Sequence, residues 1–165
     1  MRSPAPAVAV RGLREEKSEW LEGHLVLAWG SPTIVSRGRE HDPARLLALV
    51  AEAGDELVGL ATFEIDGNAC ELVTLEAFRR REGIGSALLA GVAAEAARRG
   101  ATRLWLVTTN DNLRALRFYQ RRGMRLVAVH PGAIDAARAI KPQVPLVGEE
   151  GIEIHDELEL ELRLR

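Results

Sequence analysis

The stretch CELVTLEAFRRREGIGSALL, residues 70–89, changes its periodicity halfway. Residues 70–75 read as a strand. From Ile84 onward the apolar positions fall at Ile84, Leu88, Val92 and Ala96, with Leu89 and Ala93 beside them, which is the stripe of an amphipathic helix. Arg98, Arg99 and Gly100 close that helix with cations and a C-terminal glycine. Between strand and helix lie three arginines, Glu82, and two glycines separated by Ile84. A helix start offers unpaired backbone N–H groups and a partial positive charge, so it favours anions. Gly83 and Gly85 carry no Cβ, so a phosphate could come close to the backbone. The plain alternative is a pair of glycines that merely open a helix beside solvated arginines. Two familiar phosphate loops do not fit. Gly85 and Ser86 lack the lysine between them that a Walker-type loop needs. Leu88 stands where a dinucleotide fingerprint needs its third glycine, and the stretch lies mid-chain rather than at the first strand–helix unit.

Working outward, residues 7–11 read as a short strand. Residues 15–29 read as a helix, with Trp20, Leu21, His24, Leu25 and Ala28 at helical spacing and Gly30, Ser31 and Pro32 to stop it. Residues 33–43 fit neither period. Residues 46–51 and 56–65 read as strands joined at Gly54 and Asp55, and Asp66 with Gly67 has the chemistry of a tight hairpin into 70–75. Downstream, 104–108 is a short buried-type strand. Asn110 or Asp111 is expected to cap a helix that runs to Arg122 and stops at Gly123. Residues 124–129 form a strand, 132–140 a short helix, Pro142 and Pro145 a loop, and 158–164 an alternating final strand. This order predicts one mixed sheet with helices on it, in a single domain over residues 1–165.

The formal net charge of −2 argues against a dedicated nucleic-acid binder, and 4% aromatic content leaves Arg79, Arg80 and Arg81 without the interleaved aromatics such a site uses. Hydrophobic residues at 47% exclude a disordered chain, and no stretch approaches the ~20 apolar residues that span a bilayer. Cys70 is the only cysteine, so no internal disulfide forms, and it is read as packing rather than catalysis. His41 with Asp42, and His155 with Asp156, lack convincing metal-ligand spacing, so no metal is expected. The expected location is cytoplasmic.

Two motifs taken together identify a relative. Arg80-x-x-Gly83-x-Gly85 after a strand, followed by Asn112-x-x-Ala115-x-x-Phe118-Tyr119-x-x-x-Gly123-Met124, resembles the GNAT superfamily of acyl-CoA N-acyltransferases over roughly residues 57–129. Arg81 departs from the pattern, because many members have glycine there. The resemblance implies an α/β fold of the α+β type: a mixed, mostly antiparallel sheet of about six or seven strands, flanked by about four helices and splayed at its two central strands. It implies acetyl-CoA as co-substrate. Backbone N–H groups of Arg80, Arg81, Glu82, Gly83, Ile84, Gly85 and Ser86 would hold the pyrophosphate. The pantetheine arm would lie between strands 70–75 and 104–108, bonded by backbone groups of Val73 and Leu75 and by Asn112. Tyr119 would stand near the sulfur.

Helix arithmetic bears on the second motif. Asn112, Ala115 and Tyr119 are i, i+3 and i+7 and share a face. Leu113 and Leu116 are expected toward the core, and Arg114, Arg117 and Arg121 on a solvated opposite face. Ala115 leaves room for a pantetheine chain. Tyr119, the only tyrosine, is the candidate acid for the leaving thiolate, with a core-edge tyrosine as the alternative. The expected reaction is direct attack of a primary amine on acetyl-CoA in a ternary complex. A lysine-type amine of pKa ~10.4 is mostly protonated at pH 7, so a base is wanted. Glu71 is the first candidate, level with a purely structural carboxylate; Glu64, His130 and Glu76 follow. Trp20, His24, Trp29, Arg37, His41 and His130 are candidate walls of the acceptor site, each equally open to a structural role. The competing reading is a catalytically silent acyl-CoA sensor or partner-binding module. A homodimer through a sheet edge or the final strand is a further expectation.

Overall fold

The computed structural model describes residues 7–13, 18–29, 34–42, 45–80 and 82–165. In chain order its elements are β1 (Val8–Gly12), α1 (Ser18–Trp29), β2 (Ile34–Ser36), β3 (Arg39–His41), β4 (Leu47–Ala53), β5 (Glu56–Asp66), β6 (Ala69–Ala77), α2 (Ile84–Arg98), β7 (Arg103–Thr109), α3 (Leu113–Gln120), β8 (Arg125–His130), α4 (Ala133–Ala137), a 3-10 turn (Glu149–Gly151) and β9 (Glu157–Arg163). Seven strands form one sheet in the order β1-β4-β5-β6-β7-β9-β8, and β2 pairs with β3 in a separate hairpin. Every neighbouring pair of the large sheet is antiparallel except β6 and β7. A parallel pair needs a crossover, and α2 supplies it.

The two sheet faces have different partners. The stripe expected for α2 is the one it buries: Ile84, Leu88, Leu89, Val92 and Ala96 meet Val58, Ala61, Phe63, Cys70, Leu72 and Leu104. Burial of each large aliphatic side chain there is worth about 1.5–3 kcal/mol. The approach is close because Gly59 has no side chain: a Cβ would lie 2.6 Å from Ile84 Cγ2 and 2.8 Å from the Glu76 carbonyl. On the other face α1 buries Leu21 and Leu25 against Val50, Leu60 and Ile34. The β2–β3 hairpin lies on that same face.

Two irregularities prepare a site. β6 and β7 pair only at Ala69 with Arg103, Cys70 with Leu104, and Glu71 with Trp105, although β6 runs on to Ala77 and β7 to Thr109. Beyond Glu71 the strands splay, and backbone polar groups on that edge of β6 have no strand partner. Against β5, Thr62 faces Thr74 and Phe63 faces Leu72, so Val73 is an extra residue, a β-bulge at the mouth of the splay.

Several expectations need correction. Residues 33–43 were illegible as a period, and they hold the β2–β3 hairpin. Its turn is Arg37 and Gly38, both at positive φ (52° and 71°), the geometry that joins short antiparallel strands. The β5–β6 turn is Gly67 and Asn68, and Asp66 is the last residue of β5. The cap of α3 is neither Asn110 nor Asp111 but Asn112, whose side chain accepts from Ala115 N at 3.0 Å; the helix ends at Gln120. Asn110 instead accepts from His155 N and Asp156 N, and Asp111 from Glu149 N, so both pin the loop before β9. Leu113 is exposed rather than turned to the core. The proposed stop of α1 at Gly30, Ser31 and Pro32 lies outside the described residues. Among the described residues no helix is long and apolar enough to cross a membrane.

Candidate active site

The splay opens into a cleft of about 840 Å3. Leu75, Arg80, Gly83, Ile84, Gly85, Ser86, Asn112, Ala115 and Tyr119 all line it. Residues read from two motifs about thirty positions apart are therefore brought to one place. Val73 and Glu82 are not in the lining, although Val73 forms the bulge beside it. Arg81 lies outside the described residues.

The start of α2 is open. Gly83 precedes the helix at φ 75°, ψ 7°, with no side-chain cap bond and no acid in the first turn. Most helix starts are covered by a side-chain oxygen, so this one leaves its first N–H groups for another acceptor. The two glycines serve different purposes. A Cβ on Gly83 would meet open space, so glycine is needed there for the left-handed backbone. A Cβ on Gly85 would lie 3.1 Å from the Phe118 ring, so glycine there lets α3 close against α2. The donor set fits a pyrophosphate.

α3 presents Asn112, Ala115 and Tyr119 to the cleft, as its spacing predicts. Asn112 Oδ1 is occupied by the cap, which leaves its amide N–H2 as the donor. Tyr119 packs edge-on against Phe118, at 5.2 Å between ring centroids. Among the described residues its hydroxyl has no hydrogen-bond partner. Burial pushes the phenol upward, so it stays protonated well past neutral pH. The expected solvated arginine face is only partly so. Arg114 and Arg117 line the cleft rim with Arg79, Arg80 and Arg122, against the acids Glu76 and Glu149. Arg122 stacks 3.6 Å above the Phe118 ring and donates to Ser86 Oγ at 2.7 Å. Phe118 and Arg122 are cleft residues that were not expected as such; their positions three residues after Ala115 and Tyr119 were the available signal.

The opposite face of the splay is acidic and covered by the hairpin. Glu71, expected as the base, does not line the cleft. It is 6% exposed, accepts a hydrogen bond from Ser36, lies 3.3 Å from His41 Nε2, and borders a separate cavity of about 250 Å3 with Glu64, Arg103 and Trp105. The buried His41 has Nε2 at 2.9 Å from Ser36 Oγ, and its Nδ1 is 3.3 Å from Glu64 without a hydrogen bond. Glu64 is held by Arg39, and His130 Nε2 is 2.8 Å from Glu159. Glu76 lines the cleft and bonds His24 Nε2 at 2.7 Å, with His24 stacked on Trp20. The side chain of Trp29 lies outside the described residues. Burial and the nearby Glu71 push the Cys70 thiol up to about 12, which makes it inert packing.

Glu157 was not anticipated. It is 2% exposed, and among the described residues both its oxygens face a single donor, the backbone N–H of Arg37, at 3.2 and 3.3 Å. Burial pushes its carboxyl above the ordinary range, against the lowering effects of the Arg37 N–H, His130 and Arg37, and Glu71 pushes it further up. Two residues on, Glu159 goes the other way: burial would raise it, but bonds from His130 and Arg103 hold it below the usual range.

Known proteins place this arrangement. The acetyltransferase (GNAT) family model matches residues 12–124. The protein YdhI of Bacillus subtilis (strain 168) is 42% identical over 132 residues, covering 79% of this chain and 82% of its own. An IAA acetyltransferase from Bacillus cereus ATCC 14579 superposes with a TM-score of 0.75 at 23% identity, over 96% of this chain and all of that one. A Bacillus subtilis acetyltransferase solved in complex with CoA superposes with a TM-score of 0.74 at 23% identity, with the same coverage. With its open helix start, splayed strands and α3 motif in one cleft, the chain belongs to the GNAT family of acetyltransferases.

Proposed function

We propose that residues 1–165 form one N-acetyltransferase domain that moves an acetyl group from acetyl-CoA to a primary amine of a small molecule or peptide, by direct attack with donor and acceptor bound together. The observation that carries this is the convergence of the uncapped α2 start, the unpaired edge of β6 and the partnerless Tyr119 hydroxyl on one cleft. Acetyl-CoA supplies an acyl group already activated as a thioester. Backbone N–H groups of residues 83–86 hold phosphate oxygens, and the arginine rim adds attraction. The β6 edge beside the Val73 bulge, with the Asn112 amide, aligns the arm, and a β6 N–H donor stabilises the carbonyl oxygen as charge develops. Tyr119 gives its proton to the departing sulfur.

The test is thermal melting of the full chain with acetyl-CoA, then a free-thiol assay over spermidine, tyramine, N-α-acetyl-lysine amide and short peptides with free N-termini. At 100 times Kd, binding stabilises by about 2.7 kcal/mol. In a chain of this size that is a rise of roughly 5–10 °C. No rise at millimolar acetyl-CoA would sink the reading. A rise without thiol release from any amine would leave a binding module instead.

A further inference from the structure

We propose that Glu157 on β9, held under the β2–β3 turn, takes the proton from the acceptor amine, and that Glu71 positions the turn. This rests on the acetyl-transfer reading above.

The geometry starts from two consecutive residues. Ser36 Oγ donates to Glu71 on β6, and the next backbone N–H, that of Arg37, donates to Glu157 on β9. Adjacent Cα atoms are about 3.8 Å apart, so one turn spans the two carboxylates. The strand between them is β7, which has left β6 beyond Trp105. The pair therefore flanks the splay on the face opposite the cleft. Glu157 sits opposite Thr109 on β7, well past the last β6–β7 pair.

The two carboxylates differ in what they can still accept. Neither lines the cleft, but Glu71 is engaged by Ser36 and approached by His41. Among the described residues Glu157 has two oxygens and one backbone donor, which leaves lone pairs free to accept another donor in a buried place. A carboxylate so poorly supplied is costly unless another donor arrives. An amine N–H is such a donor. The groups facing Glu157 are Arg37 from the turn, Glu71 from β6, His130 from β8 and Glu159 from its own strand. Burial raises its carboxyl above the ordinary range, so it holds a proton more readily than a solvated carboxylate does.

The backbone gives a second sign. Arg37 takes φ 52° as the first residue of the two-residue hairpin turn. Here it aims the N–H at Glu157 while the guanidinium pairs with Glu159 at 2.7 Å.

The proton balance closes. Glu157 first takes the ammonium proton and releases it to solvent, leaving the amine neutral. The nitrogen then bonds to the acyl carbon, the carbon–sulfur bond breaks, Tyr119 gives one proton to sulfur, and Glu157 takes the second from nitrogen. Transfer of that proton through solvent from Glu157 to the Tyr119 oxygen restores both groups.

The experiment is a pH–rate profile from pH 6 to 10 with acetyl-CoA and whichever panel amine turns over fastest, for wild type, Glu157→Gln, Glu157→Asp and Glu71→Gln. Glu157→Gln should lose about 100-fold in kcat at pH 7. The loss should shrink to a few-fold near pH 10, where the amine is neutral unaided, and the KM for acetyl-CoA should stay unchanged. Glu157→Asp should recover part of the rate, and Glu71→Gln should lose less than tenfold. A Glu157→Gln rate within threefold of wild type at pH 7, or a deficit equal at every pH, overturns the assignment while acetyl transfer stands. Wild type that binds acetyl-CoA yet acetylates no panel amine overturns both readings. An acetyl-CoA Kd of Glu157→Gln equal to that of wild type excludes misfolding as the cause.

Discussion

Glu157 and Glu159 stand on one face of β9, and their surroundings push their carboxyl groups apart: one is starved of donors, the other has Arg37, Arg103 and His130. The raised Glu157 carboxyl has a stability consequence of definite sign. A folded-state value above the unfolded one means the folded chain binds that proton more tightly. Its contribution is therefore present below the ordinary carboxylate range and is lost as pH rises through the raised value. Glu157→Gln removes this burden, so its melting temperature relative to wild type should be higher at pH 8 than at pH 5. Calorimetry at the two pH values checks it, and an unchanged difference would mean the carboxyl is not raised. Tyr119→Phe should behave oppositely to a packing mutation. The hydroxyl has no partner among the described residues, so its loss should leave the melting temperature within about 1 °C. If it donates to sulfur, kcat should fall about 10- to 100-fold with little change in KM for acetyl-CoA. Tyr119 was legible from the family motif, with its i, i+3, i+7 spacing in support. Glu157 was not, because alternating Glu and Leu from 157 to 162 reads as an ordinary half-exposed strand. What buries it is a hairpin 120 positions earlier.

That hairpin was illegible for a physical reason. Its strands are three residues each, too short for a period, and its turn uses Arg37 where asparagine or glycine would have announced it. α2 is the reverse case: its stripe runs over four turns, and the helix packs as that stripe predicts. The strand–helix order around it was read correctly, although the α3 cap was displaced to Asn112 because Asn110, Asp111 and Asn112 are all competent caps and only tertiary demand on the first two separates them. The α2 seat yields a prediction at this scale. Gly59→Ala places a Cβ against Ile84 Cγ2 and the backbone carbonyl of Glu76, and a carbonyl cannot swing aside as a side-chain tip can. The cost expected of such overpacking is about 1–3 kcal/mol, or a melting temperature lower by roughly 3–10 °C. Because α2 must lift, its N–H groups move as well. Acetyl-CoA affinity measured by calorimetry should fall several-fold in a variant whose changed residue borders no part of the cleft. Unaltered affinity would mean the helix start is fixed by α3 rather than by the sheet.

At the scale of the molecule, a chain of net charge −2 carries five arginines around one cleft. On the other sheet face Glu64, Glu159 and Glu161 are paired with Arg39, Arg37 and Arg103, so cations there are neutralised while those of the cleft rim face the cleft. Composition alone could not reveal this, because the totals nearly cancel and only the register of β6, β7 and β9 sorts the residues by face. Arg114 and Arg117 had been read as a solvated face, since helical spacing tells which residues share a side but not what that side meets. The consequence concerns salt. Backbone N–H donors at the α2 start act at contact distance and are little screened, whereas exposed guanidinium groups act through solvent. The screening length falls from about 10 Å at 0.1 M to about 3 Å at 1 M salt. If the rim contributes, the Kd for acetyl-CoA should rise on the order of tenfold between 50 and 500 mM sodium chloride, and Arg114→Gln with Arg117→Gln should flatten that slope while weakening low-salt binding. Acetylated pantetheine, which lacks the phosphates, should bind with no salt dependence and serves as the control. A Kd for acetyl-CoA that ignores salt would leave recognition to the glycine-opened N–H groups alone and return the arginines to the solvated role their spacing first implied.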